Sequence, residues 1–139
     1  MDLKKVAIAA VTTAFVLSAS VAMAKSVNDP RAPGSAKGEA NPVSTDAESV
    51  SFGEELYQDL GCGGCHGDAG TGDGAGAAGM DPAPRDFTDG GWQKVRTDGE
   101  LKFTIFNGSD GTGMIPNEAM FDEPEDVWHV INYLRSMGH

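Results

Sequence analysis

Apolar residues in the second half of the chain recur at helical rather than strand spacing. Phe52, Leu56 and Leu60 stand four apart, with Tyr57 widening the stripe, and this predicts an amphipathic helix. Ser51 and Glu54 at its start predict a capping box with Ser51 as N-cap, and Gly61 is the expected residue just past its end. Thr97 and Glu100 form a second box, followed by Leu101, Ile105 and Phe106 on one face and stopped by Asn107-Gly108. A third helix is expected to start in the acid-rich Asp122–Glu125 stretch, whose charges suit the helix dipole and where Pro124 is tolerated. Val127, Val130, Ile131 and Leu134 form its buried stripe. No alternating strand pattern is convincing, so the expected class is all-α, with three main helices and long loops.

The first fifty residues follow a different logic. Lys4 and Lys5 precede a small, apolar, uncharged run from Val6, and Ala22-Met23-Ala24 forms an A-x-A site. This pattern predicts a secretory signal peptide over residues 1–24, cleaved after Ala24. The uncharged run could also just span a bilayer as an anchor, but its Ala, Ser and Thr content favours cleavage. Residues 25–49 contain Pro30, Pro33, Pro42, Gly34 and Gly38 with almost no apolar periodicity, and are expected to form a flexible leader. The folded unit is then one domain over residues 50–139, short enough to build only a small core unaided.

Charge narrows the partners. The chain has 21 acidic and 10 basic residues, a net charge of −11. That balance argues against nucleic acid, whose phosphates call for a basic face, and against adhesion to anionic lipid. An acidic surface can steer a basic partner, or serve solubility alone.

The chemistry concentrates in Cys62-Gly63-Gly64-Cys65-His66, which uses both cysteines of the chain. C-x-x-C-H is the attachment signature of a c-type haem. Two thiols at this spacing add across the two vinyl groups of one porphyrin, and the next residue offers an imidazole to the iron. A structural zinc site wants four ligands in pairs, and only His129 and His139 remain to supply them. A dithiol redox site calls for a helix N-terminus in a βαβ context, and a disulfide here would close too small a loop to add much stability. The Gly-rich stretch Gly67–Gly79 lacks the Gly-Lys-Ser/Thr of a phosphate loop and the closing Glu of an EF-hand. Its glycines suit either close packing against a flat cofactor or simple flexibility.

With these residues in view, residues 50–139 resemble a small mono-haem class I cytochrome c. The resemblance is carried by Gly53 and Tyr57 on the first helix, Cys62-Gly63-Gly64-Cys65-His66-Gly67, and Val130-Ile131-Asn132-Tyr133-Leu134 on the last. It implies the class I cytochrome c fold around one covalent haem c, with thioethers to Cys62 and Cys65 and His66 on the iron. It also implies a second axial ligand from a Met on the loop before the last helix, often within Gly-x-Met-Pro. Gly113-Met114-Ile115-Pro116 matches with one inserted Ile, making Met114 the expected ligand and Met120, on the same loop, its rival. His129 is expected at the surface of the last helix. A proline carbonyl is expected to hold the imidazole's other nitrogen, with Pro84 favoured over Pro82, and Arg85 or Trp92 could bond a haem propionate. The implied function is one-electron transfer rather than enzymatic turnover. The protein would be a soluble periplasmic carrier, or the electron-transfer subunit of a periplasmic oxidoreductase, meeting redox proteins through a basic docking face, without membrane insertion of the mature chain. The alternatives are a haem enzyme or gas sensor with an open sixth site, and a thiol-disulfide enzyme.

Overall fold

The computed structural model describes residues 32–139; the expected signal peptide and the start of the leader lie outside them. The described residues are all-α, with helices α1 (Gly34–Lys37), α2 (Ala47–Asp59), α3 (Gly63–His66), α4 (Gly90–Val95), α5 (Asp98–Asn107) and α6 (Val127–Ser136). Short 3-10 turns occupy Ala75–Ala77, Glu118–Met120 and Pro124–Asp126. The three long helices are those read from the periodicity. Among the described residues no helix is long and apolar enough to cross a membrane.

The first of them starts earlier than its expected Ser51 cap. Asp46 is the N-cap: its carboxylate accepts the Ser49 N–H at 2.9 Å and the Ser44 hydroxyl at 2.6 Å. The hydrogen bond from Ser44, followed by that from the Ser49 backbone, holds the Asp46 carboxyl below its usual range. Ser51 therefore lies within the helix, and the buried face runs Ser49, Gly53, Tyr57 rather than through Phe52, which is 38% exposed. The end falls where the pattern placed it. Gly61 takes φ 73°, its N–H bonds to the Gln58 carbonyl, and the Cys62 N–H bonds to that of Tyr57 at 3.0 Å. This Schellman closure leads α2 directly into the cysteine motif.

Helices α2 and α6 cross in backbone contact. A Cβ on Gly53 would collide with the His129 carbonyl, so glycine is what allows the approach. Tyr57 and Tyr133 meet edge to face at the crossing, 5.3 Å between centroids. Val127 and Ile131 are fully buried, and Val130 and Leu134 nearly so, as the stripe required. Helix α6 begins at Val127 because the acids ahead of it form the 3-10 turn Pro124–Asp126. The expected capping box of α5 is present, with Thr97 accepting from Glu100 N–H and Glu100 accepting from Thr97 N–H. Arg135 then ties α6 to the α4–α5 junction through Asp98, the Gln93 side chain and the Arg96 carbonyl.

Two expectations are corrected. His129 is half-buried rather than solvent-facing: its Nδ1 lies 2.9 Å from the Ser49 hydroxyl and its ring meets Phe52 edge-on. The segment over residues 32–49 is packed rather than flexible. Ala32 is buried, the Ala36 carbonyl sits against Gly99, and Glu39 pairs with Lys102. Asn132, 1% exposed, accepts from Asn41 Nδ2 at 2.9 Å and from Thr45 Oγ1 at 3.1 Å, and donates to the Ser44 carbonyl and Ser49 Oγ. The segment is thus held largely by hydrogen bonds and charge, which apolar periodicity does not report. Removing residues 32–46 deletes the cap of α2 and leaves Asn132 with unmade bonds. Each unsatisfied buried group costs about 1–3 kcal/mol, so the truncated protein should melt several degrees lower in thermal denaturation followed by circular dichroism. An unchanged melting temperature would refute a structural role for this strap.

Candidate functional site

The site begins with one helical turn. The Cys62 carbonyl accepts the N–H groups of Cys65 at 3.3 Å and His66 at 3.0 Å. That turn brings both thiols and the imidazole to the wall of one cavity of about 280 Å³. Leu60 from the end of α2, Leu101 and Ile105 from α5, and Leu134 from α6 supply its apolar lining. Cys62 and Cys65 are not joined to each other. Burial pushes the Cys62 thiol up to about 11, the opposite direction from that of a nucleophilic redox cysteine. Among the described residues no group of three or more His, Cys, Asp or Glu side chains could hold a bare metal ion.

The imidazole is oriented by the loop that follows. His66 Nδ1 lies 3.1 Å from the Arg85 carbonyl, so this nitrogen carries the proton and donates, and the Nε2 lone pair is left for a metal. The ring stacks on Phe87 at 4.5 Å, 23° from parallel. Burial lowers the His66 pKa and favours the neutral form. The expected Pro84 carbonyl is not the acceptor. It lies 2.6 Å from where a Cβ on Gly72 would stand, and the next carbonyl along the chain reaches the ring. Alternate carbonyls of an extended chain face opposite ways, so a one-residue register decides which bonds. That register is fixed by two loop bonds, Phe87 N–H to the Gly70 carbonyl and Gly72 N–H to the His66 carbonyl, both 2.7 Å.

The Gly-rich loop packs rather than dangles. The turn Ala75–Ala77 lies against α3, and a Cβ on Gly74 or Gly76 would press on the Gly64 carbonyl. The Gly74 N–H bonds to the Cys65 carbonyl at 3.1 Å. Gly74 and Gly76 thus serve close approach to the backbone of the cysteine turn rather than simple flexibility.

Opposite lies the loop of Met114. The Ser109 N–H bonds to the Met114 carbonyl at 3.0 Å, and the Asn117 N–H to the Ile105 carbonyl at 3.0 Å, pinning the loop to α5. Ile115, the residue inserted relative to Gly-x-Met-Pro, is 65% exposed and also borders the cavity. Met80, Met114 and Met120 all border the large cavity, but only Met114 also borders a second cavity of about 40 Å³ with His66, Ile105 and Leu134. Met120 is 47% exposed. The structure therefore brings Cys62, Cys65, His66 and Met114 to one cavity, which Met80 and the more exposed Met120 also line.

A haem fits these residues on independent grounds. Arg85 Nε and Trp92 Nε1 are buried without hydrogen-bond partners, and both residues line the cavity. Two orphaned donors in an apolar cavity call for an acceptor, which haem propionates would supply. Glu100 also lines the cavity, with 7% of its surface exposed. Its helical position behind Thr97 was legible as a cap, but nothing in the sequence placed it at the cavity wall.

The comparisons agree with this geometry. A Cytochrome c family model matches residues 50–138. A component of a reducing HAO-like protein complex from Kuenenia stuttgartiensis is similar at 25% identity and a TM-score of 0.59, over 70% of this chain and 47% of that one. Cytochrome CL from the marine methylotroph Methylophaga aminisulfidivorans is similar at 26% identity and 0.51, over 66% of this chain and 55% of that one. The KustC0563 c-type cytochrome is similar at 28% identity and 0.50, over 63% of this chain and 98% of that one. The chain thus spans about half the length of the first two. No curated protein matches the chain. The family match covers the helix that delivers Cys62, the turn that gathers Cys65 and His66, and the loop of Met114, and with the all-α fold it makes this chain a member of the cytochrome c family, in which haem is covalently bound and carries electrons.

Proposed function

We propose that the protein is an exported one-electron carrier with a single haem c, bound by thioethers to Cys62 and Cys65 and ligated by His66 and Met114. The observation that carries this reading is that His66, with Nε2 left open, and Met114 border the same two cavities. Haem supplies the ferric–ferrous couple. The chain supplies the rest: Arg85 fixes the imidazole through its carbonyl, Ser109 and Asn117 fix the Met114 loop, and Phe87, Ile105 and Leu134 keep the cavity apolar. With His66 and Met114 both holding the iron, no position would remain for a substrate, and such ligation would favour a high potential. The likeness to a component of an HAO-like complex supports a second form of the same chemistry, the electron-transfer subunit of a larger oxidoreductase. The signal-like N-terminus supports export to the periplasm, with the mature chain beginning at Lys25 and folding as one domain.

Exported protein should carry one haem that survives denaturation, read as added mass on a chain starting at Lys25. Haem extracted by acid-acetone, leaving a chain of apoprotein mass, would refute the thioethers.

Met114→Ala should abolish the weak far-red sulfur-to-iron band of the ferric protein, lower its potential and open the ferrous form to carbon monoxide. Met120→Ala, which does not touch the second cavity shared by His66 and Met114, should retain the band. A reversed result would assign the sixth position to Met120. A wild-type protein that binds carbon monoxide at once would support the sensor or enzyme reading instead.

Glu118, Asp122, Glu123 and Glu125 are exposed and follow the Met114 loop. They support docking of a redox partner with a basic face. The bimolecular electron-transfer rate with the native partner should then fall as salt shortens the screening length from about 30 Å at 0.01 M to about 8 Å at 0.15 M. A flat salt profile would leave the acidic surface to solubility alone.

A further inference from the structure

Glu100 is a nearly buried carboxylate in the cavity wall. Its Oε2 accepts the Thr97 N–H at 2.9 Å. Its Oε1 lies 3.5 Å from Arg96 Nη1 and 3.7 Å from Lys37 Nζ. Arg96 and Thr97 are local to the chain around Glu100, whereas Lys37 arrives from α1, in the strap that precedes the matched residues 50–138. The strap is anchored independently of Lys37, by the Ala36 carbonyl against Gly99, the Glu39–Lys102 pair and Asn41 on Asn132. A charge from outside the matched region is thus delivered to a carboxylate facing the redox site.

We propose that Lys37 tunes the haem electrostatically, offsetting the Glu100 carboxylate and so raising the reduction potential. The inference rests on the reading of the cavity as the haem site. Ferric haem carries one more positive charge than ferrous haem. A buried negative charge in the wall therefore favours the ferric state, and it is screened far less than a surface charge. A cation at the same carboxylate opposes that preference. Lys37 is half-exposed, which makes the effect modest but leaves its sign unchanged. Substituting the charge alone is the informative change, since deleting the strap would also admit water to Glu100 and screen it.

The experiment is spectroelectrochemical titration of the haem-loaded protein, four single variants and one double variant. Lys37→Gln should lower the midpoint potential and Glu100→Gln should raise it. Lys37→Arg should leave the midpoint at the wild-type value. Lys94 is exposed and is not paired with Glu100, so Lys94→Gln should shift the midpoint less than Lys37→Gln. In a Glu100→Gln background the Lys37→Gln shift should shrink. Equal shifts from Lys37→Gln and Lys94→Gln, or no shift from Lys37→Gln, would overturn the proposal, as would a shift undiminished without the Glu100 charge. Should Glu100→Gln not fold, the Lys37 and Lys94 variants decide between the same outcomes. Covalent haem and the far-red band are measured on every sample. A wild-type protein without covalent haem would refute the haem site itself, whereas intact spectra with an unmoved midpoint would refute only the role of Lys37.

Discussion

The backbone contact of α2 with α6 at Gly53 and His129 fixes both ends of the candidate site. Because no Cβ stands between the helices, Tyr57 lies against Tyr133, and its buried hydroxyl reaches the Gly67 carbonyl at 2.7 Å. Gly67 directly follows His66, so the crossing holds the cysteine turn from behind while the Schellman closure of α2 holds it from the front. From the other partner, the Leu134 carbonyl accepts Gln93 Nε2 at 2.8 Å and Arg135 binds Asp98, which sets α4 and α5 across the cavity. A larger residue at 53 would push apart the two helices from which both walls are hung.

The loops contribute order of a different kind. Their apolar content is low, and they are fixed by backbone bonds onto the cysteine turn and onto α5. The consequence is chemical. The acceptor for His66 is a main-chain carbonyl of a packed loop, so the imidazole's tautomer depends on loop register rather than on the identity of one side chain. A substitution at Pro84 acts on the ring by moving that register, whereas one at Arg85 also removes a guanidinium charge that helps lower the His66 pKa.

What the sequence reveals follows from the range of each interaction. Helix existence, the Thr97–Glu100 box, the Gly61 closure and the Cys62–Cys65–His66 turn all depend on residues within five positions of one another. Their spacing makes them legible. The start of α2 was misplaced because Asp46 and Ser51 are both good caps and only packing chooses between them. The order of residues 32–49 was missed because Asn41 and Thr45 find Asn132 about ninety positions away. A polar segment with distant partners has the composition of a disordered one. The surface placement of His129 and the choice of Pro84 as the carbonyl acceptor failed for the same reason, as both depend on bonds made between elements.

Charge is partitioned within this acidic chain. Six Lys and Arg residues lie between positions 32 and 139. Arg85 and Arg96 line the cavity, Arg135 bonds the Arg96 carbonyl from behind, and Lys37 faces the wall carboxylate of Glu100. Only Lys94 and Lys102 stand away from that wall, and Lys102 lies over the Trp128 ring at 4.8 Å while pairing with Glu39. Four of the six bases therefore lie around the cavity proposed to hold the haem, where uncompensated propionates at low permittivity would be most costly. The exterior is left strongly negative as a result. The electrostatics that hold the cofactor and those that a partner meets are two sides of one allocation of a few bases.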